Sequence, residues 1–142
     1  MASNLYNTGL LKLLDGTIDY INDNVAILLV SNNYVFDRTQ EFVSNISDEI
    51  SGSGYARKSL TSKTLTLNTA ANVVTFDCGT ITYTALDSAN VLAAAIIYAE
   101  TGVDSSSSLI ANIDFENLTT SNADVNIETS SAGLFEIANL IA

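Results

Sequence analysis

The 142 residues contain no proline, no histidine and no tryptophan, a single cysteine and only five basic side chains. Without histidine there is no Ser–His or Cys–His dyad and no imidazole base near neutral pH. One cysteine and no histidine also cannot fill a tetrahedral zinc site of nitrogen and sulfur ligands. Cys78 has no partner for an internal disulfide and stands beside Asp77, with no base nearby in sequence to favour the thiolate. It reads as a small packing residue in a chain suited to a reducing compartment or indifferent to redox state. The five bases stand against sixteen acids, for a net charge of −11. That balance argues against nucleic acid, whose phosphates need Lys and Arg, and against docking on anionic lipid. It favours solubility and a partner with a basic or neutral surface.

Long apolar runs are missing too. The longest, Val91–Ala99, is nine residues, less than half of the roughly 20 that a membrane helix needs. Met1-Ala2-Ser3-Asn4 lacks the basic start and apolar stretch of a secretory leader, so none is expected. The absence of proline leaves turns to Asn, Asp and Gly.

Neutral polar residues take the place of charge. Charged residues make up 15% of the chain, while 16 Ser, 15 Thr and 15 Asn account for about a third of it; a soluble domain ordinarily has about 25% charged residues. Hydroxyls and carboxamides cost less to desolvate than ammonium or carboxylate groups, so such a surface suits a protein partly covered by neighbours. The mean hydropathy of +0.27 points the same way.

The length fits one domain, 1–142, with a core of its own. Helical spacing predicts a helix over Asn4–Asp15, with Tyr6, Leu10, Leu13 and Leu14 as its stripe, Ser3 or Asn4 as cap and Gly16 as stop. A second is predicted over Asp37–Ser47, from the approximate capping box of Asp37 and Gln40 and the stripe of Phe42, Val43 and Ile46. The remainder reads as strand and turn. Strands are expected at Thr17–Tyr20, Val25–Ser31, Ser59–Leu67, Val73–Phe76, Thr80–Thr84, Val91–Tyr98, Leu109–Phe115, Val125–Ile127 and Leu134–Ile137. The continuous apolar stretch in Val25–Ser31 implies burial on both faces, and Val91–Tyr98 is the best candidate for a central strand. In Leu109–Phe115, Leu109, Ala111, Ile113 and Phe115 should face one way and Asn112 and Asp114 the other. The whole predicts a mainly β fold, a single antiparallel β-sandwich or partly closed barrel with one or two short helices in the N-terminal half.

Few motifs carry chemistry. Gly52-Ser53-Gly54-Tyr55-Ala56-Arg57 starts like a dinucleotide loop, but Arg57 stands in place of the third glycine and no strand precedes it. No cofactor is expected. Asp114 and Glu116 share a strand face as an acid pair of glycosidases would, but sixteen acids make such pairs common and no tryptophan is there to stack a sugar. Asp19, Asn22, Asp23 and Asn24 offer four hard oxygen side chains for Ca²⁺, but the EF-hand spacing and its closing Glu are missing, and an Asx-rich turn is the default reading. The residues that stand out are Tyr55, Arg57, Lys58 and Lys63. Three of the five positive charges fall here within seven positions, beside two glycines that let the backbone adapt, and Tyr and Arg are typical of interface hot spots. They are the candidate protein interface. Alternatively, Arg57 and Lys58 balance the acids at Asp48 and Glu49.

Asp15–Asp19, Ala26–Tyr34, Glu49–Tyr55, Ala95–Tyr98 and Leu109–Phe115, in this order and spacing, resemble a family of small proteins encoded among the structural genes of tailed bacteriophages, and the likeness spans Asn4 to Phe115. Tyr83, where the family commonly has tryptophan, and Ser108, where it has proline, are departures. The resemblance implies a non-enzymatic virion protein made in the host cytoplasm. The favoured role is a head decoration or cement protein on the capsid exterior, bound to the major capsid protein. Low charge density and exposed strand edges point to a homo-oligomer, and the resemblance favours a trimer over a dimer. A receptor- or glycan-binding tail or fibre module is the alternative.

Overall fold

The computed structural model describes residues 2–139. The chain is mainly β, and every strand pairing is antiparallel. The strands are β1 (Ala2–Leu5), β2 (Val25–Ser31), β3 (Lys58–Ser59), β4 (Thr64–Asn68), β5 (Val73–Asp77), β6 (Ile81–Tyr83), β7 (Val91–Ala99), β8 (Ser108–Thr119), β9 (Val125–Ile127) and β10 (Phe135–Ala138). A five-stranded sheet runs β1-β8-β7-β2-β3, with the predicted Val91 strand at its centre. Against it stand a three-stranded sheet, β10-β5-β4, and the pair β6-β9. These sheets do not close into a barrel, and the architecture is that of a sandwich.

The central strands of the five-stranded sheet, β2 and β7, are buried on both faces. Val25, Ile27 and Leu29 of β2 pack with Ala95 and Ile97 of β7 and with Phe76, Ile81, Val125 and Phe135 from the smaller sheets. Ala26, Leu28 and Val30 point the other way, where Ala94, Ile96 and Tyr98 join them under Tyr34, Phe36, Val43 and Ile46. A strand with a core on each side cannot alternate apolar with polar, which is why β2 and β7 read as unbroken apolar runs. In the main core Phe76 and Phe135, register partners on β5 and β10, stack at 4.5 Å, with Tyr20 edge-on to Phe76 at 5.1 Å. Cys78 is buried, and desolvation together with Asp77 pushes its thiol up to about 11, as suits a packing residue.

Several expectations are corrected. Residues 2–5 are strand, paired with Ala111–Asp114 of β8, so the helix α1 begins only at Asn7 and ends at Leu14. It is the one α-helix among the described residues. It lies close on β8: a Cβ on Gly9 would fall on the Leu109 carbonyl oxygen and 2.8 Å from Ile110 Cα. The predicted helix over Asp37–Ser47 shrinks to a 3₁₀ turn at Val43–Asn45. There the Asn45 carboxamide oxygen accepts from the N–H groups of Glu41 and Phe42 at 3.2 and 3.0 Å, replacing helical bonds with local ones. Thr17–Tyr20 is turn, not strand. Asp15 and Asp19 take the N–H groups of Thr17, Ile21 and Asn22 that a ladder would use.

The predicted strand Ser59–Leu67 divides in two, β3 joining the large sheet and β4 the small one. Residues 69–72 turn β4 into β5 as a hairpin. In β8 the pairing slips by one residue between Ile97/Ala111 and Tyr98/Leu109. This bulge turns Leu109 toward Tyr98 while Ile110, Ala111 and Ile113 face the main core. Leu109 therefore does not share a face with Ala111, contrary to the simple alternation.

Candidate interaction surface

The segment leading from the Gly52–Gly54 turn into β3 carries three of the four singled-out residues. Tyr55 is half-buried, its ring stacked on Tyr83 at 5.9 Å. Its hydroxyl donates to Glu49 Oε1 at 2.6 Å and accepts from the Leu29 N–H at 3.2 Å. Burial and the bond to Glu49 raise the hydroxyl's pKa well above its ordinary range, so it stays a donor at any working pH.

Arg57 is the hub. Nε and Nη2 donate to the two oxygens of Glu49 at 2.8 and 2.7 Å, a bidentate fork. Nη1 and Nη2 reach Asp104 at 2.6 and 3.2 Å, and the guanidinium lies 5.9 Å from the centre of the Tyr98 ring. The bonds from Glu49 and Asp104 strengthen its hold on its proton, and Arg57 in turn draws Asp104 below the usual carboxylate range. The clamp ties the turn before β3 to the loop between β7 and β8, 47 positions away in sequence.

Lys58 is half-buried, with Nζ 5.2 Å from the centre of the Tyr83 ring. Lys63, at the entry to β4, donates to the Asp23 carbonyl and lies 5.8 Å from the centre of the Tyr20 ring. The structure thus brings Tyr55, Arg57 and Lys58 together and places Lys63 on a separate turn. Arg57 and Lys58 are both half-buried, because Arg57 has two carboxylates and Lys58 an aromatic face within reach. Comparison of the chain with known protein families, curated proteins and solved structures finds no match.

What this arrangement leaves outward is the turn itself. Ser51–Gly54 and Ala56 are exposed, held from below by Tyr55 and Arg57. Gly54 has φ +82°, and a Cβ there would press within 2.5 Å of the Thr84 carbonyl oxygen, so the turn is built for glycine. Glu49 and Asp104 were not among the predicted site residues. Glu49 was legible as a nearby acid; nothing in the local sequence marks Asp104.

In the Asp19–Asn24 turn the two carboxylates are engaged locally. Asp19 accepts from the Asn22 side chain at 2.7 Å as well as from backbone, and Asp23 Oδ2 accepts from the Asp19 N–H at 2.8 Å. Among the described residues no group of three or more acidic or cysteine side chains is gathered as metal ligands would be. Asp114 and Glu116 are both exposed on β8.

A second outward feature is β4, all five of whose residues are exposed. Leu65 and Leu67 are 46% and 67% accessible, and they continue a row across the sheet: Leu67 opposite Val74, and Val74 opposite Ile137. The free edge of β4 carries no charge and no proline, the usual devices that keep an edge from pairing.

Proposed function

We propose that the chain is a non-enzymatic virion structural protein, a capsid decoration or cement protein that binds the outer surface of the major capsid protein shell and stabilises it as a homo-oligomer, a trimer before a dimer. The observation that carries this reading is β4: an uncharged edge strand exposed on both faces, with two leucines extending an apolar row toward Ile137. In a chain of net charge −11, an uncharged edge with apolar side chains is where another protein surface meets least repulsion. The Gly52–Ala56 turn supplies a second contact. It is clamped by Arg57 rather than mobile, so docking it costs little ordering entropy. The resemblance to tailed-phage structural proteins supports the virion setting.

The test is the protein's location and copy number in purified particles, with re-addition to shells that lack it. Many copies per particle on the head, and shells that survive higher temperature when it is restored, are the expected results. A few copies confined to the tail would replace this reading with the tail or fibre module.

A further inference from the structure

The second face of the five-stranded sheet holds a small cavity that the reading above does not use. Its volume is about 150 Å³, and it is lined by Asn4, Tyr34, Phe36, Ala93, Ala94, Asn112 and Asp114. That is roughly the share of five water molecules in the liquid. The register explains the clustering. Asn4 of β1 stands opposite Asn112 of β8, Asp114 lies two positions on along the same face, and Ala94 of β7 is opposite Asp114. The small alanines leave the space, and Tyr34 and Phe36 of the segment after β2 close over it.

Asn112 is the decisive residue. It is 3% exposed, on a strand whose neighbours are apolar, and its side-chain oxygen is buried with no hydrogen-bond partner. A buried acceptor left unpaired is costly, and native structures rarely keep one without a use. The rest of the lining is also rich in acceptors. Asp114 is a carboxylate at the rim with no ion pair among the described residues. Tyr34 gives its hydroxyl proton to Gln40 Oε1 at 2.8 Å and takes that of Tyr6 at 2.6 Å, so it has only acceptor capacity left. No basic side chain lines the space, and two aromatic rings do.

We propose that this cavity binds one guanidinium or primary ammonium group. Such a group is small, carries only donors, pairs with a carboxylate and is favoured over aromatic faces. Asp114 holds it at the mouth. The Asn112 carboxamide, whose half-turn exchanges oxygen and nitrogen at equal shape, receives it at the floor. A neutral sugar fits less well, because each hydroxyl accepts as well as donates and the only free donors here are the two carboxamides. The group can come from an Arg or Lys side chain of a partner protein or from a free polyamine. The inference stands whether or not the partner is a capsid shell.

The experiment is a titration of the full chain followed by ¹H–¹⁵N NMR, reading the Asn112 side-chain amide and the Asp114 backbone amide. The probes are N-acetyl-arginine amide and N-acetyl-lysine amide for a side chain, spermidine for a free polyamine, and a methyl glycoside as the neutral probe. Saturable shifts are expected with the cations and none with the glycoside. Asp114→Asn, at an exposed position, should weaken cation binding about tenfold or more by removing a charge-assisted bond. Asn112→Leu fills the floor without a polar group and should abolish binding while keeping a dispersed spectrum; if it fails to fold, Asp114→Asn alone decides. Glu116→Gln, outside the lining, should leave binding unchanged. Tighter binding of the acetylated amino-acid amides than of spermidine assigns the site to a partner's side chain, and the reverse assigns it to a polyamine. Shifts with the glycoside, or no saturable shift with any cation, would overturn the proposal.

Discussion

The two larger sheets are made of similar residues and put to different ends. The five-stranded sheet has a core on each face, and every residue of Val25–Val30 is buried. The three-stranded sheet buries Phe76 and Phe135 toward the main core, yet β4 at its edge is exposed throughout. Apolar side chains therefore stabilise the molecule in the first region and remain available for contact in the second. The Leu residues of β2 stand in an unbroken apolar run and those of β4 alternate with Thr; a central place and an edge place in their sheets give them different work.

Cavity-forming substitutions should break the comparison most sharply. Ile97→Ala, at a fully buried site in the centre of the large sheet, should lose about 2–5 kcal/mol. Leu67→Ala, at the exposed edge, should change stability by about 0.5 kcal/mol or less. Urea denaturation of the two variants checks both, and equal losses would mean that β4 is part of the core. Gly9→Ala comes next. The added methyl group meets the β8 backbone, which has little room to yield, and overpacking of this kind costs about 1–3 kcal/mol. A lower thermal midpoint is expected even though alanine is the better helix former.

The Arg57 clamp lies between the extremes. Asp104 is held below its unfolded pKa by Arg57, so its contribution is present above the ordinary carboxylate range and fades as pH falls through the depressed value. Stability should therefore drop on acidification below about pH 4, and Asp104→Asn should flatten that part of the curve. An unchanged acid limb in the variant would show that the bond contributes nothing. The smallest expected effect on folding is that of Leu65→Ser with Leu67→Ser. The pair should leave the urea midpoint nearly unmoved while weakening self-association or shell binding, as read by light scattering and sedimentation with particles. Full retention of both would remove β4 from the contact surface.

The same contrast explains what could be read from the sequence. Val25–Ser31 was legible as doubly buried and Val91–Tyr98 as central because an unbroken apolar run leaves a strand no polar face to turn to water. The Leu109 orientation was not, since a bulge depends on the partner strand and leaves no local mark. Phe42, Val43 and Ile46 have helical spacing, but Val43 and Ile46 are apolar because they roof the second core, Phe42 lies under the Lys12 ammonium, and Asn45 bonds the backbone out of a helix. Helical spacing in the first residues was overridden by β8, which needed an edge partner more than α1 needed another turn. At the candidate surface, residue types were legible and directions were not. Arg57 could be seen as unusual, but whether it faces out or in depended on Asp104, placed beside it only by the folded chain.

The pairing of β1 with β8 and of β2 with β7 also sets a schedule. Residues 2–5 wait for residues 111–114, and residues 25–31 wait for residues 92–99. During synthesis β2 has only the two-residue β3 beside it, and β1 no strand at all, until residues 92–114 have left the ribosome, and contacts this distant in sequence form slowly. The apolar β2 segment is exposed in the meantime, a hazard that grows with concentration. A protein of this topology produced in large amounts depends on late, rapid closure of the central hairpin. Slowing translation before residue 91 should lower the soluble yield more than slowing it after residue 119.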